Sequence, residues 1–358
     1  MLRDHASKLA ATVAAGAMLM AAAACGGSDT GTGTDTAAPA ASGGSSAPAA
    51  TGAKVGLAYD IGGRGDQSFN DAAAAGLEKA KTELKLAETK ELEAKGGETG
   101  AQKEQRLRLL AQSGYNPVIA VGFAYSEAIK KVAAEFPDTK FAIVDDAAAG
   151  PNISNLVFAE NEGSFLVGAA AAMKTKKEHI GFVGGVQVPL IKKFEIGFTK
   201  GAQSVKPDIK IDVKYLTQPP DFGGFNDPAK GKAAAQGMFD AGADIVYQAA
   251  GGSGGGVFEA AKAAKAFAIG VDSDQAKTAD PGVQDVILTS MLKKVDVAVF
   301  DFLKSFADGT VKAGQTVYDL KAGGVDFSVT GGKVDDIKLD LDKYKDKIIN
   351  GEIKVPSE

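Results

Sequence analysis

Tryptophan is absent from the 358 residues, cysteine occurs once and histidine twice. One thiol excludes an intramolecular disulfide, a cysteine-rich zinc site and an iron–sulfur cluster. Positive charge is also in short supply. Lys and Arg number 40 against 45 Asp and Glu, a formal net charge of −5. Phosphate neutralisation needs a basic surplus, so no nucleic-acid partner is expected. What the chain does have is 45 glycines and 45% hydrophobic with 24% charged residues. That is the balance of a globular protein with a buried core. At roughly 150 residues per domain, the length suggests about two domains.

The first 24 residues read as a secretory leader. Arg3 and Lys8 precede an apolar, alanine-rich run from Leu9 to Ala24, too short for a comfortable membrane span and ending in small residues. Cys25 follows Ala22-Ala23-Ala24 and precedes Gly26-Gly27. This resembles a lipobox, in which the cysteine becomes the lipidated first residue and anchors the chain to the outer face of a bacterial cell membrane. Cleavage removes Arg3, Lys8 and Asp4, a net +1, and takes the formal charge from −5 to −6. It also removes His5 and leaves His179 alone, so a serine or cysteine triad is not expected. Residues 25–53 are Gly, Ser, Thr, Ala and Pro with almost no large apolar side chain. They read as a flexible tether. No later run of about 18 apolar residues is present to span a membrane.

From Lys54 onward short apolar runs alternate with helical patterns. Strands are expected at Lys54–Tyr59, Lys85–Leu92, Val118–Val121, Phe141–Val144, Ile153–Phe158, Ile180–Val183, Ile211–Tyr215, Ile245–Gln248, Ala268–Val271 and Val286–Ser290. Helices are expected between them, with Ser68 as an N-cap, Thr99 and Gln102 as a capping box, and Pro228 at a first helical position. A terminal helix is expected at Asp340–Asn350. The spacing implies βαβ units and parallel sheets in two α/β lobes facing across a cleft. Such sheets bind ligands at the C-terminal ends of their strands.

The residues just after the strands are therefore the informative ones. Asp66, Phe69 and Asn70 bring a carboxylate, a ring and an amide to one helix start. The segment contains no G-x-G-x-x-G and no Gly-Lys-Ser/Thr, so a phosphate loop is not indicated. Asp145 and Asp146 end the strand at Phe141–Val144 and offer acceptors to a ligand N–H or hydroxyl. Phe225, with Phe222 nearby, supplies a second ring, and two rings from opposite lobes suit a planar ligand. The glycines around Gly252 lead into a helix and are placed to meet oxygen-rich groups. Asp272 with Lys293 or Lys294 pairs an acceptor with a donor, as vicinal hydroxyls require.

Taken together, these segments resemble the basic membrane protein family of substrate-binding lipoproteins. The resemblance rests on Asp66-Gln67-Ser68-Phe69-Asn70, Phe136 to Asp145, Glu162 to Gly168, Gly184-Gly185, Glu195 to Phe198, Phe225 to Pro228, Gly270-Val271-Asp272 and Thr289 to Lys293. It implies a type I periplasmic-binding-protein fold, with two Rossmann-like lobes joined by three crossings around a central ligand cleft. Residues 54–158 with about 274–309 would form the first lobe, and about 159–273 with 310–350 the second. It further implies a monomeric binding protein of an ABC importer that takes purine nucleosides, needs no cofactor, catalyses nothing and partners a membrane permease. Phe69 and Phe225 match the rings that stack on the base, and Asp145, or Asp146, the carboxylate that binds it. Asn70, the Gly252 region, Asp272 and Lys293 match the ribose contacts. Three other readings stay open: a binder of another solute such as a sugar, a nucleoside hydrolase using Asp60, Asp66 and Asp272, and a tethered sensor.

Overall fold

The computed structural model describes residues 52–358; the expected leader, Cys25 and nearly all of the tether lie outside the described residues. The first half runs β1 (Lys54–Ala58), α1 (Phe69–Glu83), β2 (Glu88–Leu92), α2 (Gly100–Gln112), β3 (Val118–Ala120), α3 (Ser126–Glu135), β4 (Phe141–Val144) and β5 (Ile153–Phe158). The second runs α4 (Glu160–Lys174), β6 (His179–Val186), α5 (Pro189–Val205), β7 (Lys210–Thr217), α6 (Pro228–Asp240), β8 (Ile245–Ala249), α7 (Gly254–Ala264), β9 (Phe267–Asp272), α8 (Gln275–Thr278) and β10 (Ile287–Lys293). The chain closes with α9 (Val295–Ala307), β11 (Gly314–Tyr318), β12 (Val325–Phe327) and α10 (Lys338–Ile349). Among the described residues no helix is long and apolar enough to cross a membrane.

Two six-stranded sheets result, ordered β11-β5-β4-β3-β1-β2 and β12-β10-β9-β8-β6-β7. Every pairing is parallel except that of β10 with β12. Parallel strands are buried on both faces, and the strand pleat sends alternate residues to opposite cores. Val55, Leu57, Ile119, Val121, Ala142 and Val144 enter the large central core, whereas Val118, Ala120, Phe141 and Ile143 face the outer layer of α2 and α3. The second sheet divides likewise, with Phe182 and Tyr247 inward and Val183 and Val246 outward.

The chain passes between the sheets three times: from β5 to β6, from β10 to β11 and from β11 to β12. Main-chain bonds tie these crossings together. Ala159 N donates to Tyr318 O at 3.1 Å and Lys294 N to Gly324 O at 2.8 Å. The second crossing comes later than the sequence suggests. β10 belongs to the second sheet and runs on through Lys293, so the return expected near residue 274 occurs after β10, and β11 rejoins the first sheet rather than the second. The physical reason is pairing: β10 runs parallel beside β9 and takes β12 on its other edge, and no local pattern assigns a strand to a sheet. From there α9 packs on α1 of the first lobe, where a Cβ on Gly76 would stand 2.4 Å from Asp296 O.

The capping box at Thr99 and Gln102 forms, and Pro228 opens α6. Ser68 occupies the N-cap position of α1 but makes no capping bond. Asp66 does that work instead, because its carboxylate reaches the amides of Ser68 at 3.0 Å, Asn70 at 2.8 Å and Asp71 at 3.1 Å.

Behind the second sheet α4 and α5 approach so closely that only glycine fits. A Cβ on Gly201 would stand 1.9 Å from Phe165 O, and one on Gly168 2.1 Å from Phe198 O. Gly237, exposed on α6, has no atom within 4 Å of its Cβ position. Overpacking a tight core costs about 1–3 kcal/mol, whereas replacing an exposed helical glycine by alanine gains about 0.5–1 kcal/mol. Denaturant unfolding should therefore show Gly201→Ala destabilised by about 2 kcal/mol and Gly237→Ala slightly stabilised; equal shifts would contradict this packing.

Candidate functional site

The C-terminal strand ends of the two sheets converge on one cavity, the place where open α/β sheets take small molecules. The first lobe contributes Asp60, Asp66, Phe69 and Asn70 after β1, Phe123 after β3 and Asp145 after β4. The second contributes Phe194 from α5, Phe225 before α6, Gly251 after β8, Asp272 at the end of β9 and Lys293 at the end of β10.

Asp66 and Asn70 brace one another. Asn70 Nδ2 donates to Asp66 Oδ2 at 3.0 Å, and Asn70 Oδ1 accepts from the amide of Asp60 at 3.1 Å. These bonds fix the turn that presents Asp60 and Phe69. Burial pushes the Asp66 carboxyl up to about 6 against the lowering effect of the amides of Asn70, Ser68 and Asp71. Burial likewise raises Asp60 to about 6.

Asp145 follows β4 in a left-handed backbone conformation, φ 70°. Its Oδ2 accepts from Lys293 Nζ at 2.6 Å, while Oδ1 is buried without a hydrogen-bond partner. A buried acceptor left open is uncommon and points to a ligand donor. Burial drives the Asp145 carboxyl well above the ordinary carboxylate range; Lys293 opposes the shift and the charge of Glu160 adds to it. Asp272, also left-handed at φ 62°, accepts from Ser68 Oγ at 2.7 Å across the lobes, and burial raises it too.

Lys293 is 2% exposed. Its ammonium lies 5.2 Å from the Phe69 ring centroid, 5.0 Å from Phe158 and 5.5 Å from Phe194, a cage that suits a cation. Burial works against the charge, but Asp145, Glu160 and Asp272 outweigh it, and the group stays protonated.

Phe225 fits because Gly185 leaves room for it; a Cβ there would stand 2.4 Å from the ring. Phe123 reaches across to meet Phe225 at 6.5 Å and 72° and Phe222 at 6.0 Å and 60°. The lobes thus touch through aromatics at one side of the cavity.

Seven of the nine ligand-binding residues expected from sequence line this cavity: Asp66, Phe69, Asn70, Asp145, Phe225, Asp272 and Lys293. Asp146 does not; its Oδ1 closes its own loop on the amide of Ala147 at 2.7 Å. Gly252 does not either, because the turn brings Gly251 to the wall and sets Gly252 against Asn226. Lys294 lies outside it. Asp60, Phe123 and Phe194 line the cavity as well; from sequence Asp60 was named only for the hydrolase reading, and the two rings were not assigned to the site. For Asp60 the signal was its place directly after β1. Phe123 follows β3, and Phe194 lies on the same helical stripe as Ile191 and Phe198.

Four carboxylates and one ammonium line a wall that carries no hydroxyl, thiol or imidazole side chain. Such a surface rejects anions and suits a neutral ligand rich in N–H and O–H donors. Among the described residues no group of three or more His, Cys, Asp or Glu could hold a metal ion.

A family model described as ABC transporter substrate-binding protein, PnrA-like, matches residues 53–358. The chain belongs to that family. It is 36% identical over 329 residues to the "ABC transporter nucleoside-binding protein BmpA" of Lactococcus lactis, covering 88% of this chain and 92% of that one. It is 35% identical over 286 residues to an uncharacterized lipoprotein of Pyrococcus abyssi, covering 76% and 68%. A solved ABC transporter solute-binding protein from Aeropyrum pernix superposes with TM-score 0.74 at 30% identity, covering 86% of this chain and 94% of that one. The two sheets are therefore the lobes of a periplasmic-binding-protein fold, and the family is one of substrate-binding proteins.

The raised carboxyls carry a pH consequence. Asp60, Asp66, Asp145 and Asp272 hold their protons more tightly folded than unfolded, where their value is 3.8. Between that value and the raised ones the folded state binds more protons, so stability falls as pH rises through this window and levels above it. Surface carboxyls with lowered values, such as Asp274, act only at more acid pH. The ligand-free protein should melt at a higher temperature at pH 5 than at pH 7.5, and Asp145→Asn should flatten that decline. A melting temperature rising over the same interval would contradict the buried-carboxyl arrangement.

Proposed function

We propose that this protein is the extracytoplasmic binding component of an ABC importer and that its ligand is a purine nucleoside. The observation that carries the reading is the open acceptor Asp145 Oδ1, set in the same enclosed, acidic cavity as Phe69 and Phe225. The base lies against the two rings and its N–H edge donates to Asp145, a charge-assisted bond contributing about 1.5–3 kcal/mol. Asp272 and Lys293 take the ribose hydroxyls as acceptor and donor, with Gly251 allowing the backbone to come close. Asp66 and Asn70 act mainly by holding the turn.

Function follows from which lobe each group belongs to. Phe69 and Asp145 come from the first lobe, and Phe225 and Asp272 from the second. Contacts completed only when both lobes touch the ligand favour the closed form, which a permease in the membrane then recognises. Cys25 supplies the lipid anchor, and the chain acts as a monomer. The name of the Lactococcus lactis relative, a nucleoside-binding protein, supports this reading, as do the lipoprotein relatives.

The test is calorimetry on the full chain, unfolded and refolded to strip bound ligand, against inosine, guanosine, adenosine, uridine, ribose and guanosine monophosphate. Purine nucleosides should bind at micromolar dissociation constants or tighter, and the monophosphate should fail because the wall repels its charge. Phe69→Ala and Asp145→Asn should each weaken inosine by about 10- to 100-fold. Absence of binding to every nucleoside by a refolded wild type would sink the assignment, and release of free base on incubation would favour the hydrolase reading.

A further inference from the structure

Glu160 does not line the cavity, yet it is among the most deeply buried charges, at 1% exposure. It opens α4, just past the first crossing between the lobes. Neither carboxylate oxygen makes a hydrogen bond. Its cation neighbours are Lys293, with Nζ 3.3 Å from Oε1, and Lys193 of α5, with Nζ 3.6 Å from Oε2. The start of α4, which no side chain caps, adds its positive end.

Lys293 in turn ends β10 at the second crossing, and on its other side it meets Asp145 of the first lobe at 2.6 Å. Asp145, Lys293 and Glu160 thus form a line from the cavity wall to two of the three crossings. An ammonium has three donors. Drawn from both sides, it satisfies only one oxygen of Asp145. Released from Glu160, it would settle fully on Asp145 and occupy the acceptor that now stands open.

We infer that Glu160 is a positioning residue: it holds the Lys293 ammonium toward the crossings, keeps Asp145 Oδ1 open to ligand, and so links occupancy of the cavity to the segments about which the lobes turn. This rests on reading the cavity as the ligand site. The charged groups facing this line are Lys193 from α5, Lys293 from β10, Asp145 after β4 and, farther off, Asp272 from β9. The charge on Glu160 also adds to the upward shift of the Asp145 carboxyl, so removing it lets Asp145 ionise at lower pH.

The experiment uses the full chain with Glu160→Gln and Glu160→Asp, inosine as probe, calorimetry at pH 5.5 and 7.5, and melting of the ligand-free protein across the same range. Glu160→Gln should weaken inosine by about tenfold or more, change the pH dependence of binding, and flatten the fall in melting temperature. Glu160→Asp, which keeps the charge but draws it back, should recover part of the affinity and keep the slope. Wild-type affinity, pH dependence and melting slope in Glu160→Gln would overturn the inference. Should the wild type take no nucleoside, the ligand reading fails by itself, and the melting slope still decides: flatter in Glu160→Gln supports the charge linkage, unchanged overturns it. Should Glu160→Gln not fold, Glu160→Asp decides, with undiminished inosine affinity the overturning result.

Discussion

A single buried ammonium organises this molecule. Lys293 lies where the second sheet hands the chain back to the first, and it is surrounded by carboxylates and aromatic faces from both lobes. Burying such a charge is expensive unless it is paired. The pairing partners are Asp145 on one lobe and Glu160 at a crossing, so the charge can be satisfied only when the sheets are in register. The same pairing places an acceptor of the first lobe and a donor of the second side by side on the cavity wall.

The same requirement explains what was legible in the sequence. Apolar runs followed by Gly- and Asp-rich loops marked the strand ends, and the strand ends are where the cavity lies. Phe69, Asn70, Phe225 and Asp272 were readable because each lies at a strand end or close to the loop that follows one. Asp145 and Asp146 were not separable, since the choice depends on a left-handed turn at Asp145 that aims one carboxylate inward. Lys293 was readable as a donor for ligand, but its burial was not, because the carboxylate it meets lies 148 residues away. The expected lobe boundary was displaced because the pairing that puts β10 in the second sheet is not a local property.

Other features were hidden for a different reason. Phe194 lies on the apolar stripe of an amphipathic helix, where a ring that packs and a ring that meets a ligand leave the same trace. Phe123 depends on which residues of the opposite lobe come near it, namely Phe222 and Phe225. The cap of α1 went to Asp66 rather than Ser68 because Ser68 Oγ is occupied with Asp272 on the other lobe. For Phe123 and for the cap the deciding contact is between lobes, and no local pattern encodes it.

Two of the bonds that tie the crossings, Ala159 to Tyr318 and Lys294 to Gly324, are main chain to main chain. The cavity wall is built chiefly from side chains. Those two bonds do not depend on which side chains line the pocket. Substitutions at strand ends can retune which solute is accepted while the backbone bonds between the crossings persist, so new cargo can evolve on an unchanged frame.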